Sequence, residues 1–314
     1  MAGPFPEWIR RSWGSGSDFG VTRGILDSLQ LHTVCQSARC PNIGECWRHH
    51  TATVMVLGNV CTRKCAFCSV RSTRGGETVA PPDPKEPGRV AEAVRRLALR
   101  HAVVTSVTRD DLPDGGSAHF AGTVEAIRAA NPGCTVEVLT PDFRGNRESV
   151  ETVMAAEPDV FGHNIETVER LYPVLRDAAH DYGRSLGVLK SAATSAAAIG
   201  GRTAVKSALM VGHGETPDEV RATLSDLLEA GCVAIFIGQY LRPGKAERKV
   251  AEYVAPEQFE AYERMAYAMG FAFAVAGAFV RSSYRAGELV NALRRATDPR
   301  ACQVKKTEGS TDAV

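Results

Sequence analysis

Thr53-Val-Met-Val-Leu-Gly58-Asn-Val-Cys61-Thr-Arg-Lys-Cys65-Ala-Phe-Cys68 is a short apolar, β-branched run that stops at a glycine and passes, three residues later, into three closely spaced cysteines. A continuous apolar run of this length reads as a strand covered on both faces. The cysteines then fall on the loop leaving the strand's carboxyl end, where parallel α/β folds gather their chemistry. Five further runs repeat the pattern, at 102–107 (AVVTSV), 135–140 (TVEVLT), 159–162, 205–211 (VKSALMV) and 233–238 (VAIFIG). Helical spacing fills the intervals near 88–99, 117–130, 145–156, 166–198 in two pieces, and 216–229. Strand-helix alternation implies a parallel sheet with right-handed crossovers. The expected fold is therefore α/β, a partial (β/α)6 TIM-like barrel. A doubly wound sheet is the alternative, because periodicity does not decide closure.

Upstream of the CxxxCxxC run lies a second triplet, Cys35-Gln-Ser-Ala-Arg-Cys40-Pro-Asn-Ile-Gly-Glu-Cys46. Three ligands, twice, is an unusual supply. An electron-transfer cubane normally takes four cysteines, one per iron, so three leave one iron open. Structural zinc wants four closed ligands, commonly as paired CxxC knuckles, and neither triplet has two such pairs. Disulfides fit poorly: no secretory signal is expected ahead of the cysteines, and the chain is too long to need staples. Nine cysteines, six of them clustered, point to a reducing compartment and metal ligation. Cys134, Cys232 and Cys302 stand alone; the first two border apolar runs and read as core or strand-edge residues.

The 314 residues suit one large α/β domain with extensions or two small domains, and 44% hydrophobic content supplies a substantial core. Lys and Arg number 37 against 36 acidic residues, so net charge gives no pointer to nucleic acid or to a membrane surface. No apolar run reaches the roughly 18 residues of a membrane helix. Polar groups end every expected strand: Ser106, Thr108, Arg109, Asp110 and Asp111; Asp142; His163, Asn164 and Glu166; His213 and Glu215; Gln239 and Tyr240. Taken singly each is a cap or a solvated loop residue, and Asp142 and Thr216 read as helix caps. Taken together they describe a lined site.

The CxxxCx(aromatic)C loop, with Phe67 before its last cysteine, resembles the radical S-adenosylmethionine enzymes. In that superfamily the open iron chelates the methionine moiety, a reduced cluster cleaves the sulfonium, and a 5'-deoxyadenosyl radical forms beside the substrate. Further stretches resemble the lipoyl synthase family: Leu31-His-Thr-Val-Cys35 through Cys46-Trp47, Thr105 through Gly116, Glu137 through Gly145, His163-Asn-Ile-Glu-Thr167, Leu209-Met-Val-Gly212, Gly238-Gln-Tyr-Leu241 and Arg281-Ser-Ser-Tyr284. They run in the family's order from Pro6-Glu-Trp-Ile-Arg10 to Tyr284, nearly the whole chain.

The resemblance implies two 4Fe-4S clusters and S-adenosyl-L-methionine. Cys61, Cys65 and Cys68 would hold the radical-generating cluster. Cys35, Cys40 and Cys46 would hold an auxiliary cluster whose fourth ligand is a serine, Ser283 ahead of Ser282. Sulfides of that auxiliary cluster would enter carbons 6 and 8 of a protein-bound octanoyl group. Phe67, Ser106, Asp110, Asn164, Glu166 and Arg184 would lie about S-adenosylmethionine, and Arg281 would steer the serine or the substrate. Expected partners are octanoylated lipoyl carriers (dehydrogenase-complex E2 domains and the glycine cleavage H protein), an electron donor such as flavodoxin or ferredoxin, and a cluster-repair carrier, with no nucleic acid and no membrane. The expected division is 1–50, an N-terminal extension with the auxiliary ligands; 51–255, the barrel; 256–302, a C-terminal helix and the RSSY segment; and 303–314, a disordered tail. The two extensions would cover the barrel mouth. The opening segment leaves little room for a transit peptide, so a cytoplasmic location is expected. The chain departs from the family pattern at 241–250 (LRPGKAERKV), at 276–278, at His213 and at Gly162. A biotin-synthase-like sulfur-inserting enzyme and a non-catalytic iron-sulfur protein are the alternatives.

Overall fold

The computed structural model describes residues 5–9, 17–49 and 51–297. Arg10, Cys302 and the expected disordered tail at 303–314 lie outside the described residues.

Strand β1 (His32–Thr33) pairs antiparallel with β2 (Thr53–Val56). From β2 onward the sheet is parallel, through β3 (His101–Ser106), β4 (Thr135–Leu139), β5 (Val160–Gly162), β6 (Ala204–Val211), β7 (Ala234–Gln239) and β8 (Phe273–Gly277), in sequence order. All six expected strands are present, and β1 and β8 extend the sheet on either side. Sequence order without strand crossing is the topology of a barrel rather than of a doubly wound sheet, whose order reverses at a switch point.

Three helices precede or bracket the first strands: α1 (Ser17–Ser28), α2 (Val34–Ser37) and α3 (Ile43–Arg48). Crossovers between the parallel strands carry α4 (Glu86–Arg96), α5 (Ser117–Ala130), α6 (Arg147–Ala155), α7 (Tyr172–Leu175), α8 (Tyr182–Ala198), α9 (Pro217–Glu229) and α10 (Pro256–Met269), and α11 (Ala286–Thr297) follows β8. Local chemistry sets their ends. Thr216 and Glu219 form a reciprocal capping box at the start of α9, with Pro217 in its first turn. Asn146 and Asp181 cap α6 and α8 through their side-chain oxygens. Gly270, at φ 114°, ends α10 in the left-handed conformation that glycine adopts without strain.

Side-chain parity divides the core. Phe161, Val205, Leu209, Ile235 and Ile237 pack outward with helix residues such as Leu189, Leu224 and Leu227. On the opposite parity Val160, Ala204, Ala208, Ala234 and Phe236 meet Val280, Leu289 and Val290. The C-terminal segment therefore fills the concave side of the sheet. The small alanines of β6 and β7 leave the space that it occupies.

Candidate active site

Cys61, Cys65 and Cys68 stand on the loop after β2, and that loop is fastened largely by backbone. The Cys61 amide donates to the Arg71 carbonyl (2.8 Å), Thr62 to Thr108 (3.0 Å), Ala66 to Leu175 (2.8 Å), and Arg248 donates back to Ala66 (2.8 Å). Lys64 donates its amide to the Asp177 carboxylate at 2.9 Å. Segments following β3, β7 and α7 thus hold one short loop, so its position does not depend on cysteine side-chain contacts. Arg63, between the first two cysteines, turns inward. Its guanidinium reaches Asp110 at 2.6 and 2.8 Å and Asp142 at 2.8 Å, with Arg63 and Asp142 side chains 1% and 0% exposed. Burial raises the Asp142 carboxyl's affinity for protons, but hydrogen bonds from His180 and Arg63 outweigh it and hold the group well below the usual carboxylate range.

The first triplet begins as β1 ends. Thr33 accepts the Gln36 amide and so starts α2, which carries Cys35; the chain then turns so that Cys40 donates its amide to the Cys35 carbonyl (2.9 Å) and Cys46 to Asn42 (2.9 Å). Two side chains from this stretch reach the far end of the protein. Asn42 Nδ2 donates to the Phe279 carbonyl at 2.7 Å, and the Tyr284 hydroxyl donates to Glu45 at 3.4 Å. Ser69 donates to the Ser37 carbonyl at 2.9 Å and joins the two cysteine loops.

These segments surround one cavity of about 990 Å³ at the carboxyl ends of the strands. All six clustered cysteines line it, together with Arg281, Ser282, Ser283 and Tyr284. So do Phe67, Ser106, Asn164 and Glu166. Ser106 Oγ and Asn164 Oδ1 are buried there without a hydrogen-bond partner, although Asn164 donates to Glu166 at 3.1 Å. Glu166 adopts φ 67°, a left-handed conformation strained for a side-chain-bearing residue, and backbone bonds to Ala208 and Met210 keep it there. Burial raises its pKa against the opposing pull of Arg176 and Asn164. Neither Ser282 nor Ser283 engages its hydroxyl with a partner among the described residues.

Two expected site residues stand apart from the cavity wall. Asp110 is taken by Arg63, and Arg184 donates to the Ala179 carbonyl at 2.6 Å while lying 3.7 Å from Asp142. Asp142 caps the short turn at Phe143–Gly145, as its sequence position suggests, but also neutralises Arg63. Arg176 was invisible in the sequence, since no motif surrounds it. Its side chain is 10% exposed, 3.8 Å from Glu166, with the guanidinium carbon 6.0 Å from the centre of the Phe67 ring.

The donor set suits clusters. All eight described cysteines are free thiols, and six of them share one cavity. Burial pushes Cys35 up to about 11 and Cys68 up to about 12, and raises Cys65. Such thiols stay protonated and inert at neutral pH until a metal displaces the proton. Among the described residues no three Cys, His, Asp or Glu side chains converge on one point as ligands of a single ion do. A cubane does not ask for that, because each thiolate binds a different iron.

The radical SAM superfamily matches residues 55–227, more than half of the chain. A lipoyl synthase from Geobacter metallireducens is 50% identical over 281 residues, covering 90% of this chain and 95% of the relative. One from Caldanaerobacter subterraneus subsp. tengcongensis is 51% identical over 281 residues, with the same coverage. Among solved structures, a methylornithine synthase superposes with a TM-score of 0.53 at 11% identity, covering 83% of this chain and 75% of that one, and an [FeFe]-hydrogenase maturase with 0.56 at 14%, covering 80% and 62%. The two structures share the fold alone. The chain therefore belongs to the lipoyl synthase family of the radical S-adenosylmethionine superfamily, as an enzyme that uses 4Fe-4S clusters and S-adenosylmethionine.

Proposed function

We propose that this enzyme inserts two sulfur atoms, at carbons 6 and 8, into an octanoyl group borne by a lipoyl carrier. The supporting observation is that both cysteine triplets and the Arg281–Tyr284 segment open onto a single cavity. Cys61, Cys65 and Cys68 would hold the radical-generating 4Fe-4S cluster, and Cys35, Cys40, Cys46 and Ser283 would hold the auxiliary cluster. When bound, these groups supply the hydrogen-abstracting radical and the sulfur that replaces each hydrogen.

The protein's own share is to bind, orient and exclude water. The unpartnered Ser106 and Asn164 oxygens and the Glu166 carboxyl offer acceptors to the amino group and ribose of the cofactor, and Phe67 offers a ring face. Arg176 balances Glu166 in a region from which water is largely displaced. Apolar side chains such as Val34, Ile43, Met55, Leu139, Met210 and Leu241 give the acyl chain a dry path. Ser283 would be a weaker iron ligand than a thiolate, which suits a cluster that supplies sulfur. Arg281 donates to the Val280 and Ala278 carbonyls and holds the serine segment in its turn.

E2 domains of dehydrogenase complexes and the glycine cleavage H protein are the carriers we assign, with flavodoxin or ferredoxin as reductant and an iron-sulfur carrier to rebuild the spent cluster. Six cysteines assigned to iron-sulfur clusters rather than to disulfides favour a reducing cytoplasm. No described helix is long and apolar enough to cross a membrane. The test is an anaerobic reaction of the reconstituted protein with an octanoyl-lysine peptide and a reductant, followed by mass spectrometry. Gain of two sulfurs per peptide is expected. Cleavage of S-adenosylmethionine with no sulfur in the peptide would overturn the assignment.

A further inference from the structure

On the concave side of the sheet, beneath the cavity, stands a charged row that the reaction does not use: His101 on β3, Glu137 on β4 and Lys206 on β6. Lys206 Nζ lies 2.6 Å from Glu137 Oε1, and both side chains are 0% exposed. His101 approaches the other Glu137 oxygen at 3.4 Å and Thr135 at 2.8 Å. A charge in such a place needs a partner, yet a buried ion pair is rarely more stabilising than apolar side chains of the same shape. Stability alone therefore gives a weak reason for this pair. Lys206 has a further commitment. Its ammonium, 4.5 Å from the Phe236 ring centre, donates to the backbone carbonyl of Ser282 at 2.5 Å.

That bond joins the barrel wall to the residue preceding Ser283. The other anchors of the segment act on either side of Ser282, on the carbonyls of Ala278, Phe279 and Val280 before it and through the Tyr284 hydroxyl on Glu45 after it. We infer that Lys206, held by Glu137, is a positioning residue: by gripping the Ser282 carbonyl it fixes the Arg281–Tyr284 turn and presents the Ser283 hydroxyl to the auxiliary cluster. The inference rests on Ser283 being the fourth ligand. Ser282 faces the barrel with its carbonyl, and the next residue has a hydroxyl without a partner among the described residues, on the cavity wall.

Lys206→Met alone strands a buried carboxylate and can unfold the chain, so the informative variant is Glu137→Gln/Lys206→Met, which removes both charges and keeps their bulk. In the metal-free full-length protein, amide exchange over 280–285 should quicken by roughly 10- to 100-fold, the range expected for loss of a charge-assisted hydrogen bond. Peptides from β2 to β4 should keep their rates. Unchanged exchange at 280–285 overturns the grip, since a merely structural pair leaves that turn alone. A second readout uses reconstituted protein with Cys61, Cys65 and Cys68 changed to Ala, so that only the auxiliary cluster is seen. Its Mössbauer spectrum in the double variant should move toward that of Ser283→Ala. A Ser283→Ala spectrum identical to that of the unsubstituted serine protein overturns the serine assignment while leaving the grip to the exchange result.

Discussion

Arg63 carries two carboxylates that have no other strong cation so close, and both it and Asp142 are shut from water. Removing one member of a buried charge network leaves the others uncompensated, at about 3–5 kcal/mol. Arg63→Met should therefore destabilise the metal-free chain by about that amount in urea unfolding, and Arg63→Lys should recover only part, because one ammonium cannot span both carboxylates in the fork geometry. A loss below about 1 kcal/mol would mean that Asp142 finds other partners. His163 makes a pH prediction. It lines the cavity, but Nδ1 bonds the Thr140 carbonyl at 2.9 Å and Nε2 meets Ser185 at 3.0 Å, with the Tyr172 hydroxyl 2.7 Å behind. Burial lowers its pKa to about 4 from an ordinary 6.5. As pH falls, the unfolded chain takes the proton first, so the stability due to this neutral imidazole is complete above about 6.5 and drains away between there and about 4. Urea midpoints of the metal-free chain should decline through that window, and His163→Gln should shrink the decline by on the order of 2–3 kcal/mol. An unchanged slope would show that His163 charges freely.

The elements that proved legible are those whose burial is complete on both faces. β2, β6 and β7 are covered almost throughout, so each writes itself as a largely apolar run, interrupted in β6 only by Lys206 and Ser207. β1 has two residues, too few for any period, and β8 reads FAVAG, whose small residues give little contrast. The cysteine loops were legible because metal ligation fixes both residue type and spacing. Arg176 was not, since its role arises only where α7 ends beside Phe67. Lys206 and Glu137 left a trace, a charge inside each of two apolar runs, but which charge meets which depends on strand order. Gly238 shows how closely β7 and the serine segment approach: a Cβ there would lie 2.1 Å from the Val280 carbonyl oxygen, which is backbone and cannot swing aside. Gly238→Ala should push the 280–284 segment outward. Product formation should fall at least tenfold while reductive cleavage of S-adenosylmethionine, assigned to the other cysteine loop, stays within about threefold, on the ground that a 1 Å misplacement can cost two orders of magnitude in rate. Equal losses of both activities would place the damage in the barrel as a whole.

At the scale of the molecule, the proposed function asks one cavity to keep two clusters apart in role while letting both reach one substrate. The cysteine loop after β2 is tied to β3, α7 and the segment following β7, whereas the first triplet is tied through Asn42 and Glu45 to the C-terminal segment. Apart from the Ser69 bond to the Ser37 carbonyl, which joins the two loops, these fastenings are separate, and separate fastening predicts separable loss. Anaerobically reconstituted protein should hold about eight irons and eight sulfides per chain, two cubanes' worth, and either triple Cys→Ala variant should keep about half. The variant lacking Cys35, Cys40 and Cys46 should still form 5'-deoxyadenosine from S-adenosylmethionine and make no thiolated peptide, and the variant lacking Cys61, Cys65 and Cys68 should form neither. Iron analysis, sulfide analysis and chromatography of the nucleoside products measure each outcome independently. Cleavage surviving only in the second variant would reverse the two assignments. Near-full iron retained in either would mean that its three cysteines hold no cluster, since three lost thiolates leave a cubane with too few protein ligands to persist.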